Sequence, residues 1–68
     1  MRKNFYELDC GDRFKLCEKT YNGLCVNGIT FMKCESGVTI DDGLTEVNAV
    51  DLANGEFWTI GEIVEVEV

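Results

Sequence analysis

Four cysteines and no histidine set the chemistry open to this 68-residue chain. The thiols belong to Cys10, Cys17, Cys25 and Cys34, spaced 7, 8 and 9 residues apart. No two form a C-x-x-C pair, and no imidazole is present to complete a mixed site. Zinc would need all four thiolates gathered from separate segments, so no metal is expected. An even cysteine count in a short chain is also compatible with disulfides. The start, from Met1 to Glu7, is basic at Arg2 and Lys3 but has no apolar stretch behind it. No secretory signal is therefore expected, and the expected compartment is the cytoplasm, where thiols stay reduced. The expected state is four free thiols, some of them acting as small core residues.

Catalysis has few routes here. Without histidine the usual general base near neutral pH is missing, and neither a Cys–His nor a Ser–His–Asp system can be built. The single serine, Ser36, stands beside Gly37 and reads as a turn residue. Paired carboxylates such as Asp41-Asp42 attract divalent cations, but the run from Asp41 to Glu46 lacks the spaced ligands of a calcium loop. No base–nucleophile pair can be drawn, so no enzymatic activity and no cofactor are expected.

Charge is divided unevenly. All six basic residues (Arg2, Lys3, Arg13, Lys15, Lys19, Lys33) lie in residues 1–33, against four acidic ones. Residues 34–68 hold nine acids and no base, and the whole chain carries −7. A phosphate backbone is repelled by such a second half, so direct nucleic-acid binding is not expected. The pattern fits a solvated acidic face that keeps a small domain soluble. It also fits an acidic surface aimed at a basic partner, for which Asp41, Asp42, Glu46, Glu62, Glu65 and Glu67 are the candidate residues. No apolar run approaches the roughly 18 residues of a membrane span, so no membrane association is expected.

The elements that must position these residues are short strands. Hydrophobic residues make up 46% of the chain, too many for a disordered acidic tail. β-branched residues number 16, against seven Leu plus Ala, which favours strands over helices. Phe5 to Leu8 reads as a short turn or helical start, and Gly11-Asp12 as a turn. Residues 13–17 alternate as a half-buried strand with Phe14 and Leu16 inward. Asn-Gly pairs at 22–23, 27–28 and 54–55 follow the hairpin rule. The first two lie too close for a full strand between them, so residues 18–28 are expected as one long irregular hairpin loop, with Leu24 and Val26 folding back onto the core. Residues 29–34 form the second strand: Ile29, Phe31 and Lys33 share one face, with Phe31 inside. Residues 35–46 are expected as a loop with a short strand at 38–40. Strands follow at 47–52, at 56–60 and at 63–68, where Val64, Val66 and Val68 oppose Glu65 and Glu67. Of the neighbours Phe57 and Trp58, only one can enter a single core. One domain of all-β class is expected: a small five-stranded, strongly bent antiparallel sheet or SH3-like barrel. An OB-like barrel fits less well, because no helix candidate lies between the third and fourth strands.

Leu8-x-x-Gly11-Asp12-x-Phe14, then Phe31-Met32-Lys33, then the run from Asn48 to Glu56 and a valine-rich end, resembles a group of small proteins of tailed bacteriophages. Their pattern is L-x-x-G-D-x-F, a Y-x-K strand and an A-V-x-L-x-x-G-E hairpin. The resemblance spans most of the chain and implies a small phage β-barrel. It transfers no catalytic residue. The 18–28 loop is longer than the pattern, and the four cysteines are not part of it. Two functions are expected on this footing. One is a non-enzymatic module that binds a host or phage protein with a basic surface, as an acidic inhibitor of a nucleic-acid-binding or defence protein. The other is a small virion or assembly accessory protein that forms homo-oligomers through sheet edges, with the terminal Val-Glu-Val-Glu-Val strand adding to a partner.

Overall fold

Short β-branched runs separated by glycines cannot hold a long helix, and the regular structure of the described residues is short strands joined by turns. A computed structural model describes residues 1–39, 43 and 46–68. Among these residues eight strands follow in order: β1 (Arg2–Asn4), β2 (Arg13–Leu16), β3 (Thr20–Tyr21), β4 (Leu24–Cys25), β5 (Phe31–Thr39), β6 (Glu46–Asp51), β7 (Phe57–Trp58) and β8 (Glu65–Glu67). The single helical element among the described residues is a 3-10 turn, Phe5–Glu7, where the Glu7 carboxylate accepts from the Asn4 N–H at 2.7 Å.

Six strands form one antiparallel sheet in the order β1-β8-β2-β5-β6-β7, and β3 and β4 pair separately. The sheet therefore has six strands rather than the expected five. β1 and β7 are its two edges, so strand pairing leaves it open rather than closed as a barrel. The bend is made at β2. Its first half pairs with β5 (Phe14 with Phe31), and its second half pairs with β8 (Leu16 with Val66). A strand shared in this way turns a corner between two parts of a sheet.

The core lies on the concave side of that corner. Phe5, Leu8, Phe14, Leu16, Val26, Phe31, Ala49, Ile60 and Val66 form the buried cluster. An aromatic series crosses it. Phe5 meets Phe14 edge-on at 5.4 Å, Phe14 stacks on Phe31 at 5.5 Å, and Phe31 meets Trp58 edge-on at 5.4 Å. Of the pair at 57–58, Trp58 faces inward and is half-buried, while Phe57 is 50% exposed.

Several sequence expectations change in detail. Residues 18–28 do contain strands: a two-residue hairpin turns at Asn22-Gly23, with φ of 52° and 79°. Two successive positive φ values make this the type I′ turn that matches strand twist. At 27–28 only Gly28 has positive φ, and Ile29 N–H donates to the Val26 carbonyl at 3.2 Å, so that Asn-Gly pair makes a different turn. At 54–55 a longer loop closes β6 onto β7, with Gly55 N–H donating to the Asp51 carbonyl at 2.8 Å. Val26 enters the core as expected, but Leu24 is 53% exposed. β5 continues to Thr39 through an irregularity: Lys33 is in register with Ala49, yet Val38 is in register with Val47. β8 lies between β1 and β2, so the valine-rich terminal strand is not an edge open to a partner.

Candidate functional site

The six acidic candidates separate into two groups. Glu65 and Glu67 alternate with buried Val66, which turns both outward on β8. Because β8 is flanked by β1 and β2, Glu67 is in register with Arg2 on one side and Lys15 on the other, while Glu65 is in register with Asn4. Arg2 approaches Glu65 at 3.9 Å and Glu67 at 3.8 Å, and the Met1 amino group reaches Glu67 at 3.0 Å. Glu65 and Glu67, named as candidates for a basic partner, thus already hold intramolecular ion pairs. They belong to an alternating-charge surface that spans three strands.

Glu46 and Glu62 form the second group. Glu46 opens β6 and Glu62 lies in the turn before β8, both exposed. Together with Gly37, Val47, Asn48 and Thr59 they line one concavity. Its floor is fixed by side chains that extend the sheet beyond β7. Asn48 Nδ2 donates to the Ile60 carbonyl and Asn48 Oδ1 accepts from the Ile60 N–H, both at 2.8 Å. Thr59 Oγ1 donates to the Glu46 carbonyl. Asp41 and Asp42 lie outside the described residues. Among the described residues, no cluster of carboxylates and thiols is arranged to hold a metal ion.

A second surface runs along the outer face of the sheet. Arg13, Met32, Val50 and Phe57 are consecutive register partners across β2, β5, β6 and β7. Phe57 at one end is half exposed, while Met32 and Val50 are half-buried. Sequence alternation gives this row only once the register is known.

The residue that sequence reasoning passed over is Lys33. It is 8% exposed, and its ammonium donates to the Leu8 carbonyl at 2.6 Å and the Phe5 carbonyl at 3.2 Å, 4.7 Å from the Phe5 ring centre. The signal was present in the shared parity of Lys33 and Phe31 on one strand face. A cation on that face must find acceptors or leave the core. Here it finds the Leu8 carbonyl and the second lone pair of the Phe5 carbonyl, which also accepts the Leu8 N–H that closes the 3-10 turn.

Compared with known proteins, the chain matches no family model, no curated protein and no solved structure. No helix among the described residues is long and apolar enough to cross a membrane.

Proposed function

We propose that this chain is a non-enzymatic protein-binding module of the small tailed-phage type, acting in the bacterial cytoplasm on a host or phage protein with a basic surface. The binding face is proposed at Glu46 and Glu62, with Asp41 and Asp42 retained as candidates from the sequence alone. The observation that carries this reading is the shared concavity of Glu46 and Glu62, away from the ion pairs that Arg2 and the Met1 amino group make with β8. The phage assignment rests on the motif resemblance alone. Binding assays of wild type against a Glu46→Lys/Glu62→Lys variant test the reading. The tagged wild type should capture a bacterial protein with a basic surface, more strongly at low salt, because exposed charges are screened over about 8–10 Å at physiological ionic strength. Capture that is equal for the variant, or indifferent to salt, would refute it.

A second reading is a homo-oligomer built through sheet edges, as in a virion or assembly accessory protein. The open edge at β7, carrying half-exposed Phe57, favours it. Light scattering separates the two readings, since the first needs only a monomer.

A further inference from the structure

The turn before β2 brings two distant thiol-bearing residues together. The chain reverses over residues 9–12, where Asp12 N–H donates to the Asp9 carbonyl at 3.0 Å and Gly11 takes φ 92°. That is the positive φ which a type II turn demands of its third residue. Gly11 and Asp12 then both face Lys33. Gly11 N–H donates to the Lys33 carbonyl at 2.8 Å, and Lys33 N–H donates to the Asp12 carbonyl at 2.9 Å. Two residues against one, with a positive-φ glycine first, constitute a G1 bulge. On one side of the bulge the register is Arg13 with Met32. On the other side, the next residues out are Cys10 and Cys34. Cys10 is a turn residue, but the Gly11–Lys33 hydrogen bond joins the peptide that follows Cys10 to the peptide that precedes Cys34, which sets the two residues side by side at a separation of the order that a disulfide spans. Cys10 is exposed and Cys34 half-buried. The Cys34 thiol is pushed above its ordinary 9.0, first by burial and then by the neighbouring Cys10 thiol. The other two cysteines have different neighbours: Cys25 pairs with Thr20, and Cys17 N–H donates to the Glu65 carbonyl.

We propose that Cys10 and Cys34 are an oxidisable dithiol that closes to an intramolecular disulfide on reaction with a low-molecular-weight disulfide such as oxidised glutathione. Cys10 is the attacking thiol, because it is the exposed one. Its thiolate attacks one sulfur of the small disulfide, whose S–S bond breaks, and the departing thiolate takes up the proton that Cys10 lost. Cys34, deprotonated in turn, attacks the Cys10 sulfur of the mixed disulfide. The second small thiolate leaves and is protonated. The protein dithiol loses two electrons, and the small disulfide becomes two thiols. The new bond ties the turn before β2 to β5 beside the Lys33 anchor. It is independent of any partner on the acidic surface.

The test is native incubation of the reduced protein with oxidised glutathione, followed by intact mass, peptide mapping and thermal melting. The expected product has lost two hydrogens, carries one cross-link between Cys10 and Cys34, and melts higher by on the order of 10 °C, because the closed loop restricts the unfolded chain. A Cys17→Ser/Cys25→Ser variant should give the same product. Cys34→Ser should instead stop at a glutathione adduct on Cys10. A wild-type protein that stops at that adduct, cross-links through Cys17 or Cys25, or does not react would overturn the proposal.

Discussion

Truncation of Phe14 to alanine tests the corner on which the whole sheet turns. Phe14 is 2% exposed, stacks on Phe31 and meets Phe5 edge-on. It also lies on β2, the strand shared between the two parts of the sheet. Replacing a buried phenylalanine by alanine costs about 3–5 kcal/mol, as lost transfer energy plus the cavity left behind. The pairings of its ring with Phe5 and Phe31, each worth about 0.5–1.5 kcal/mol beyond area, place this site toward the upper end. A domain of this length has a total stability of only about 3–10 kcal/mol at 0.05–0.15 kcal/mol per residue. Each kcal/mol moves the melting temperature by about 4–8 °C in a domain this small. The variant should therefore melt at least about 12 °C below wild type or be unfolded at room temperature, by circular dichroism or calorimetry. Phe14→Leu keeps most of the volume and should lose clearly less. A Phe14→Ala protein that melts within a few degrees of wild type would refute the assignment of this ring series as the core.

Lys33→Ala removes two charge-assisted hydrogen bonds and the buried stem, while Lys33→Met keeps the stem and removes a buried charge. Alanine should cost about 2–4 kcal/mol and methionine about 0–2 kcal/mol, so chemical denaturation should rank methionine above alanine; the reverse order would show that the ammonium hydrogen bonds and stem do not anchor the 3-10 turn. Reversing Glu65 and Glu67 to lysine breaks exposed pairs with Arg2, which should cost no more than about 1 kcal/mol each and leave the circular dichroism spectrum unchanged. A global unfolding of that variant would show the pairs to be structural. Cys34 has a raised pKa from burial and then from Cys10, so its protonated thiol favours the folded state. That contribution is full below the ordinary 9.0 and is lost as pH rises through the raised folded value, so stability should fall in that alkaline window. Cys34→Ser should remove this component of the fall, and an unchanged pH profile would count against the burial of the thiol.

Strict alternation made part of the fold legible. Arg13–Leu16, Glu46–Asp51 and Glu65–Glu67 each alternate outward and inward as a half-buried strand must, and Phe14, Phe31 and Val66 are buried accordingly. What alternation does not carry is the order of strands in space. Nothing local states that Glu65–Glu67 inserts between Arg2–Asn4 and Arg13–Leu16, because that pairing joins the two ends of the chain. The ion pairs of Glu65 and Glu67 were hidden for the same reason. Phe5 reads from sequence as part of a turn, and a turn residue enters a core only when the tertiary fold lays it there. The Asn-Gly pairs show a further limit. One dipeptide makes three different turns here, since the spacing of the flanking strands selects the turn type.

The burial of Lys33 bears on where the proposed basic partner would dock. It is the only cation borne by β5, β6 or β7, and its charge is directed at main-chain carbonyls rather than at the surface. Asp51 is likewise withdrawn, 5% exposed, with Oδ1 accepting from the Ala53 N–H at 2.9 Å. Exposed Glu35, Glu46, Glu56 and Glu62 therefore lie on a part of the chain that carries no exposed base, whereas on β8 Glu67 lies between Arg2 and Lys15 and Glu65 pairs with Arg2. A basic partner approaching β8 would have to displace existing pairs and would meet cations on both sides. One approaching Glu46 and Glu62 meets no such competition from neighbouring strands. Reversal at Glu46 and Glu62 should thus weaken binding more than reversal at Glu65 and Glu67, although the two pairs change net charge equally. Equal losses from the two variants would mean that total charge, rather than its placement by the fold, governs the encounter.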